Sequence, residues 1–277
     1  MRIHAIQTGS VAIKQRQMRG SGPGALRLVN TLFDRRWTEP LPILAWAIEH
    51  PEGLILVDTG ETSRTSDPGY FPRWHPYPRF GVRMDVRPEQ EIGPALERLG
   101  LSAAEARWVV LTHMHTDHAG GLSNFPNSEI LVTKKEYADA SGRGAKVRGY
   151  LPHRWPDWFK PTTVDLPAKP FGPIERSMPL TDAGDVVLLA TPGHTPGHMS
   201  VAVDTGDLLV ILAGDPSYTE QLMLEGAADG VTNDVATAEK TLAQLRALTG
   251  ERRSVYLPTH DPASAGRLAA ALAPSSA

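Results

Sequence analysis

No cysteine occurs among the 277 residues. The chain therefore carries no disulfide, no thiolate zinc site, no iron–sulfur cluster and no cysteine nucleophile. Long apolar runs are missing as well: the longest, Leu208 to Ala213, falls far short of a membrane span. The opening MRIHAIQTGS has no apolar segment of the kind a secretory leader needs. Basic charge is not in excess, since 28 Lys and Arg face 31 Asp and Glu for a net charge of −3. That balance offers little to a phosphate backbone, so no nucleic-acid partner is expected. A soluble, cytoplasmic protein with no membrane contact is the expectation.

What is present is ordinary for a globular chain, with 41% apolar and 21% charged residues. This length can bury a large core, and a single domain spanning 1–277 is expected because no linker or repeat interrupts it. Two apolar runs, Ile43 to Ile48 and Leu54 to Val57, flank His50-Pro51-Glu52-Gly53 and read as a hairpin. A helix opens at Pro88, carries Ile92, Ala95, Leu96 and Leu99 on one face, and closes at Gly100. Further strands are expected at 108–111, 130–132, 186–190, 200–203, 208–213 and 255–257. Asp234 caps a helix with Val235, Ala238, Leu242 and Leu245 on one face, and a last helix runs from Pro262 to Leu272. Strands alternating with helices predict a layered α/β fold.

Two stretches break this rhythm. Tyr70, Phe71, Trp74, Tyr77 and Phe80 lie among Pro68, Pro72, Pro76 and Pro78, while Tyr150, Trp155, Trp158 and Phe159 lie among Pro152, Pro156 and Pro161. Proline at this density predicts irregular aromatic loops. Such loops suit the wall of an apolar pocket, a satellite hydrophobic cluster or a homodimer contact. Gly20-Ser21-Gly22-Pro23-Gly24 reads as a surface loop or a hinge at a substrate entrance, and it is not a phosphate loop.

The chemistry concentrates in Thr112-His113-Met114-His115-Thr116-Asp117-His118-Ala119-Gly120-Gly121, which follows a strand directly. Residues two apart in extended chain project to one side, so His113 and His115 can grip one ion together. Asp117 and His118 come after the chain begins to turn and can face a second ion. His194, Asp215 and His260 each follow an apolar strand, where short loops present ligands rigidly. Five histidines and two aspartates form a sulfur-free donor set suited to Zn²⁺, and also to Mn²⁺, Fe or Co²⁺. Seven ligands exceed one tetrahedral ion and fit two divalent ions sharing a bridging carboxylate and a bridging hydroxide. His198, four residues after His194, is expected to form structural hydrogen bonds. His75 and His153 are candidates for the pocket or the surface, and His4 and His50 for plain strand and turn positions.

The string His113-Met114-His115-Thr116-Asp117-His118, with Asp58-Thr59-Gly60 before it and Gly193-His194, Asp215 and His260 after it, resembles the metallo-β-lactamase superfamily. The resemblance implies a four-layer αβ/βα sandwich, two mixed sheets face to face with helices outside and metals at one edge. It implies one metal on His113, His115 and His194, another on Asp117, His118 and His260, and Asp215 as the bridge. Asp58 would steady the metal loop. Tyr218, three residues after Asp215, is similar to the tyrosine of the N-acyl-homoserine lactonase branch, whose phenol faces the substrate ester. Thr116 stands where several such lactonases carry a bulky aromatic, so acyl-chain contacts are expected from the aromatic loops instead.

Lactone opening would follow from these parts: hydroxide attack, oxyanion stabilisation by the first metal and Tyr218, and proton delivery to the ring alkoxide by Asp117. The expected partner is a neutral acylated lactone. A thioesterase of the glyoxalase II type would need a C-terminal domain for which the 17 residues after His260 leave no room. An organophosphate or other ester hydrolase on the same cage is the alternative, followed by a non-enzymatic metal- or ligand-binding protein.

Overall fold

The computed structural model describes residues 1–23, 25–232 and 234–273. Gly24 of the glycine-rich loop and residues 274–277 lie outside the described residues. The chain opens with β1 (Arg2–Ile13) and a short turn α1 (Gln15–Met18), followed by α2 (Ala25–Leu32). β2 (Leu41–His50) and β3 (Gly53–Val57) form the expected hairpin, pairing Trp46 with Val57 and Ile48 with Ile55. Next come α3 (Pro76–Phe80), β4 (Val82–Asp85), α4 (Ile92–Arg98) and β5 (Ala106–Val110). The string of histidines leads into α5 (Thr116–Ala119), then β6 (Glu129–Thr133), α6 (Lys134–Ser141) and β7 (Thr162–Val164). β1 to β7 build one mixed sheet in the order β4-β1-β2-β3-β5-β6-β7.

The second half supplies β8 (Ser177–Pro179), β9 (Val186–Ala190), β10 (Met199–Asp204), β11 (Leu209–Gly214) and β12 (Ser254–Pro258). They form a second mixed sheet, β12-β11-β10-β9-β8, whose one parallel pair is β11 with β12. Its helices are α7 (Glu220–Leu224), α8 (Val235–Glu251) and α9 (Ser264–Leu272).

Alternation along the strands sorts the core into layers. Ile55, Val57 and Val110 join Leu188, Val201, Val210 and Leu212 between the sheets. Their neighbours Leu54, Leu56, Val109 and Leu111 face outward onto Ile92 and Leu96 of α4. On the other side, Val187, Leu189 and Ile211 pack against Leu242 and Leu245 of α8. The result is the four-layer αβ/βα sandwich, with two mixed sheets inside and helices outside. No described helix is long and apolar enough to cross a membrane.

One expectation about the proline-rich loops needs correction. The first contains the helix α3, because Pro76 and Pro78 fall in its first turn, where a missing amide proton costs nothing, and His75 caps it by accepting from the Tyr77 amide. The helix expected from Pro88 is likewise a separate 3-10 turn, Pro88–Gln90, followed by α4.

Candidate metal centre

The loops that follow β3, β5, β9, β11 and β12 meet at one edge of the sandwich. Directly after β3, Asp58 adopts φ 61°, the one non-glycine residue with positive φ among the described residues. That conformation costs about 1–2 kcal/mol and turns the carboxylate back toward the neighbouring strand end. There it accepts the Thr112 amide at 2.8 Å, the Thr112 hydroxyl at 2.9 Å and His118 Nδ1 at 2.8 Å. Gly60 also has positive φ, and a Cβ there would collide with the side chain of Thr8. Asp58 thus reaches the centre through His118 directly and through the Thr112 hydroxyl to His113.

Hydrogen bonds on the outer nitrogens fix how each imidazole presents its inner one. His118 Nδ1 donates to Asp58, His194 Nδ1 to Asp229 Oδ2 at 2.8 Å, and His260 Nδ1 to the Pro42 carbonyl at 2.8 Å. His115 Nε2 donates to the Arg148 carbonyl at 3.1 Å, and His113 Nδ1 to the Thr112 hydroxyl oxygen at 3.2 Å. Every neutral ring therefore turns a bare lone pair inward. His113 Nε2 and His194 Nε2 lie 2.9 and 3.1 Å from His115 Nδ1, so three lone pairs crowd one point. His118 Nε2 and Asp215 Oδ1 are buried and have no hydrogen-bond partner. Orphaned acceptors of this kind are costly unless a proton or a cation sits among them, and the donor set suits a divalent ion.

Three overlapping groups could each hold an ion: His113, His115 and His194; His113, His118 and Asp215; and Asp117, His118 and His260. All seven residues expected as ligands are thus brought together. Asp215 Oδ2 lies 3.4 Å from His118 Nε2 and 3.2 Å from His260 Nε2, between the groups. Charge within the metal-free cage is divided unevenly. Burial opposes the charged form of His118, but Asp215, Asp58 and Asp117 hold its pKa well above the usual imidazole value. Burial also opposes a charge on His260, yet Asp215 and Asp117 lift it to about 10. Desolvation and the neighbouring His194 lower half-buried His115 to about 4. Protons collect where the carboxylates are, and a metal ion would displace them.

Several residues that the sequence did not flag shape the cage. Asp229 holds His194, and its other oxygen accepts the Val231 and Thr232 amides at 2.8 and 2.6 Å. Glu136 accepts the Met114 and Gly197 amides and the hydroxyls of Thr195 and Tyr150, tying the histidine string to the His194 loop. Thr133 caps α6 three residues earlier, a pattern that suggests a capping box rather than this role. Asp229 stands in an Ala-Asp-Gly stretch that signals only a turn. His198 is structural, as expected. Its Nε2 accepts the Asp215 amide at 3.0 Å, its Nδ1 donates to Thr191, Thr191 bonds Ser200, and Ser200 donates to the Ala213 carbonyl.

A cavity of about 320 Å³ opens above the cage, its floor formed by His115, Asp117, His194, Asp215 and His260. Val11, Ile13, Leu32, Phe71, Tyr77 and Met84 contribute to its apolar wall. Tyr218 is buried and stacks on the His260 ring at 5.5 Å. Gln17, also buried, donates its amide to the hydroxyls of both Tyr218 and Tyr77, at 2.7 and 2.6 Å. Of the aromatic loops, Phe71, Trp74, Tyr77 and Tyr150 reach the cavity together with His75. Trp155 and Phe159 instead pack on Tyr137 as a satellite cluster, Tyr70 is buried against Glu61, and Phe80, His153 and Trp158 are exposed.

Comparison with known proteins agrees with this architecture. A probable metallo-hydrolase of Mycobacterium bovis is 34% identical over 176 residues, covering 62% of this chain and 55% of that protein. The chain thus spans about half the length of that relative. The N-acyl homoserine lactonase AttM of Azorhizobium caulinodans is 25% identical over 280 residues, covering 95% of this chain and 94% of its own. An N-acyl homoserine lactone hydrolase solved with N-hexanoyl-L-homoserine at its catalytic metal centre superposes with a TM-score of 0.72 at 22% identity, covering 94% and 93%. At that identity the likeness is one of fold. Residues 38–260 match the metallo-beta-lactamase superfamily model, and with the sandwich and the cage in place the chain belongs to that superfamily.

Proposed function

We propose that this protein is a dinuclear metal-dependent hydrolase that opens the lactone ring of N-acyl-homoserine lactones. The observation that carries the reading is the cavity itself, an apolar chamber of about 320 Å³ whose floor is the His and Asp cage. A polar ring set on an acyl chain matches that division, ring to the floor and chain to the wall. Relatives named as N-acyl homoserine lactonases that align over most of this chain support the substrate class.

His113, His115 and His194 would hold one ion, Asp117, His118 and His260 the other, and Asp215 both. Two divalent ions, of which Zn²⁺ suits these donors best, supply hydroxide at neutral pH and polarise a carbonyl. The protein's own groups do the rest. Gln17 donates to the Tyr218 oxygen, which leaves the phenol proton free to meet the developing oxyanion. Asp117 lines the cavity beside His260, 3.4 Å from its Nε2, and would take the proton that the attacking hydroxide carries and pass it to the departing ring oxygen. Apolar walls keep water from the acyl chain and orient the ring.

The test is a panel of short-chain and long-chain acyl-homoserine lactones, a β-lactam, a thioester and a paraoxon-like organophosphate, given to metal-replete protein. Ring opening of the lactones is expected. Intact lactones of every chain length alongside cleaved organophosphate would overturn the assignment.

A further inference from the structure

α2 is built inside out. At 3.6 residues per turn, Leu26, Leu28, Val29, Leu32 and Phe33 share one arc of the helix and Arg27 and Thr31 the opposite one. The polar arc faces the protein: Arg27 and Thr31 are buried. Arg27 donates to the Ala228 and Asp229 carbonyls, and the Thr31 hydroxyl donates to the Arg27 carbonyl at 3.0 Å with the Arg16 and Gly230 carbonyls each 3.3 Å away. The apolar arc faces outward, with Leu26 57%, Val29 44% and Phe33 82% exposed. Leu28 and Leu32 continue it to the mouth of the cavity, where Trp74 and Val147, each 63% exposed, stand on the rim. A contiguous exposed apolar surface of this kind marks a site that something else covers.

Charge decides what covers it. Arg35 lies two residues after Phe33, past the buried Asp34 that Arg36 pairs, while Arg73 precedes Trp74, Arg79 precedes Phe80 and Lys146 precedes Val147; these four cations are exposed and none forms an ion pair among the described residues. Among the described residues, the acids lining the cavity are Asp117 and Asp215, both at its floor. On a chain of net charge −3, Lys146 lines the mouth and Arg73 adjoins the lining residue Trp74, so unpaired positive charge sits beside the exposed apolar residues. A second copy docked through the same face would set these cations against their own images. An anionic bilayer meets them with opposite charge, takes the apolar arc into its acyl boundary, and seats a rim tryptophan at headgroup level. We propose that α2 and the rim residues around it form a lipid-docking face that sets the cavity mouth against an anionic membrane surface.

The test uses the full, metal-loaded chain and needs no turnover, so it stands apart from the lactonase reading. Co-sedimentation with phosphatidylglycerol–phosphatidylcholine vesicles at low salt should exceed that with pure phosphatidylcholine by roughly tenfold or more, and high salt should reverse it. Phe33→Glu and Val29→Glu, both on the exposed arc and away from the cavity, should each lower partitioning by about tenfold with an unchanged melting temperature. Arg35→Glu with Arg79→Glu should abolish the preference for anionic vesicles. No binding to anionic vesicles at low salt would overturn the proposal. So would a dimer in sedimentation velocity that Phe33→Glu converts to monomer, because the face would then belong to a second copy.

Discussion

Asp229→Asn changes one oxygen to an amide nitrogen, yet the surroundings of Asp229 leave no good orientation for it. One carboxylate oxygen accepts His194 Nδ1 at 2.8 Å and the other accepts two backbone amides, so all three contacts are donors. An asparagine can offer its carbonyl oxygen to only one side, and its NH₂ then faces a donor on the other. If the oxygen stays with Val231 and Thr232, His194 loses its acceptor and the ring is free to turn its bare Nε2 away. Loss of such a supporting partner costs metal affinity about tenfold to a hundredfold, equivalent to roughly 1.4–2.8 kcal/mol. The loss should be local: it falls on the group His113, His115 and His194 and leaves Asp117, His118 and His260 nearly untouched. A competition titration of apoprotein against a chromophoric zinc chelator resolves the two affinities. Asp229→Asn should weaken one and keep the other. Two unchanged affinities, or two affinities falling together, would refute the assignment of Asp229 to the orientation of His194.

Gln17→Leu should lower kcat on a lactone substrate by about tenfold, since Tyr218 loses the partner that sets its hydroxyl. In a Tyr218→Phe background the same change should have little effect, and an additive loss would show that Gln17 acts elsewhere. Burial pushes the Glu61 carboxyl up to about 7, against hydrogen bonds from Thr116, the Thr62 amide and Tyr70. Folded Glu61 keeps its proton to about pH 7 while the unfolded residue releases it near 4.5, so stability falls as pH rises through that window, by about 3 kcal/mol from this group. Urea unfolding of Glu61→Gln should show a correspondingly flatter decline than wild type, and parallel pH profiles would remove Glu61 as the cause. Stripping metal with a chelator should lower the melting temperature by roughly ten degrees, because the orphaned atoms of His118 and Asp215 lose their cation. Equal melting temperatures with and without metal would contradict a structural contribution from the cage.

The candidate site was largely legible in the sequence because its donors are packaged in ways that local patterns reveal. His113, His115, Asp117 and His118 share one short string, and His194, Asp215 and His260 each close an apolar strand. Their supporting residues were not legible. Gln17 reaches Tyr218 across 201 residues, and Asp229 reaches His194 from a stretch with no periodicity. Of β1 only His4 reads as a strand position, because RIHAIQTGSVAI mixes polar and apolar residues, pairs with β2 and β4 on its two sides, and shifts register around Gly9. α2 escaped notice for a different reason. Its periodicity is plain, but a polar face turned inward does not read as a helix that belongs to a core.

Each of the three ion-holding groups contains at least one residue from either sheet's half of the chain. His113, His115, Asp117 and His118 arrive with the first sheet, and His194, Asp215 and His260 with the second. A nascent chain that has folded only its first sheet therefore has half a cage and no complete set of donors. Each complete ion-holding group forms only when the second sheet has docked on the first. In a chain without a single cysteine, the ions would be the covalent-like fastening that joins the two halves after both have formed.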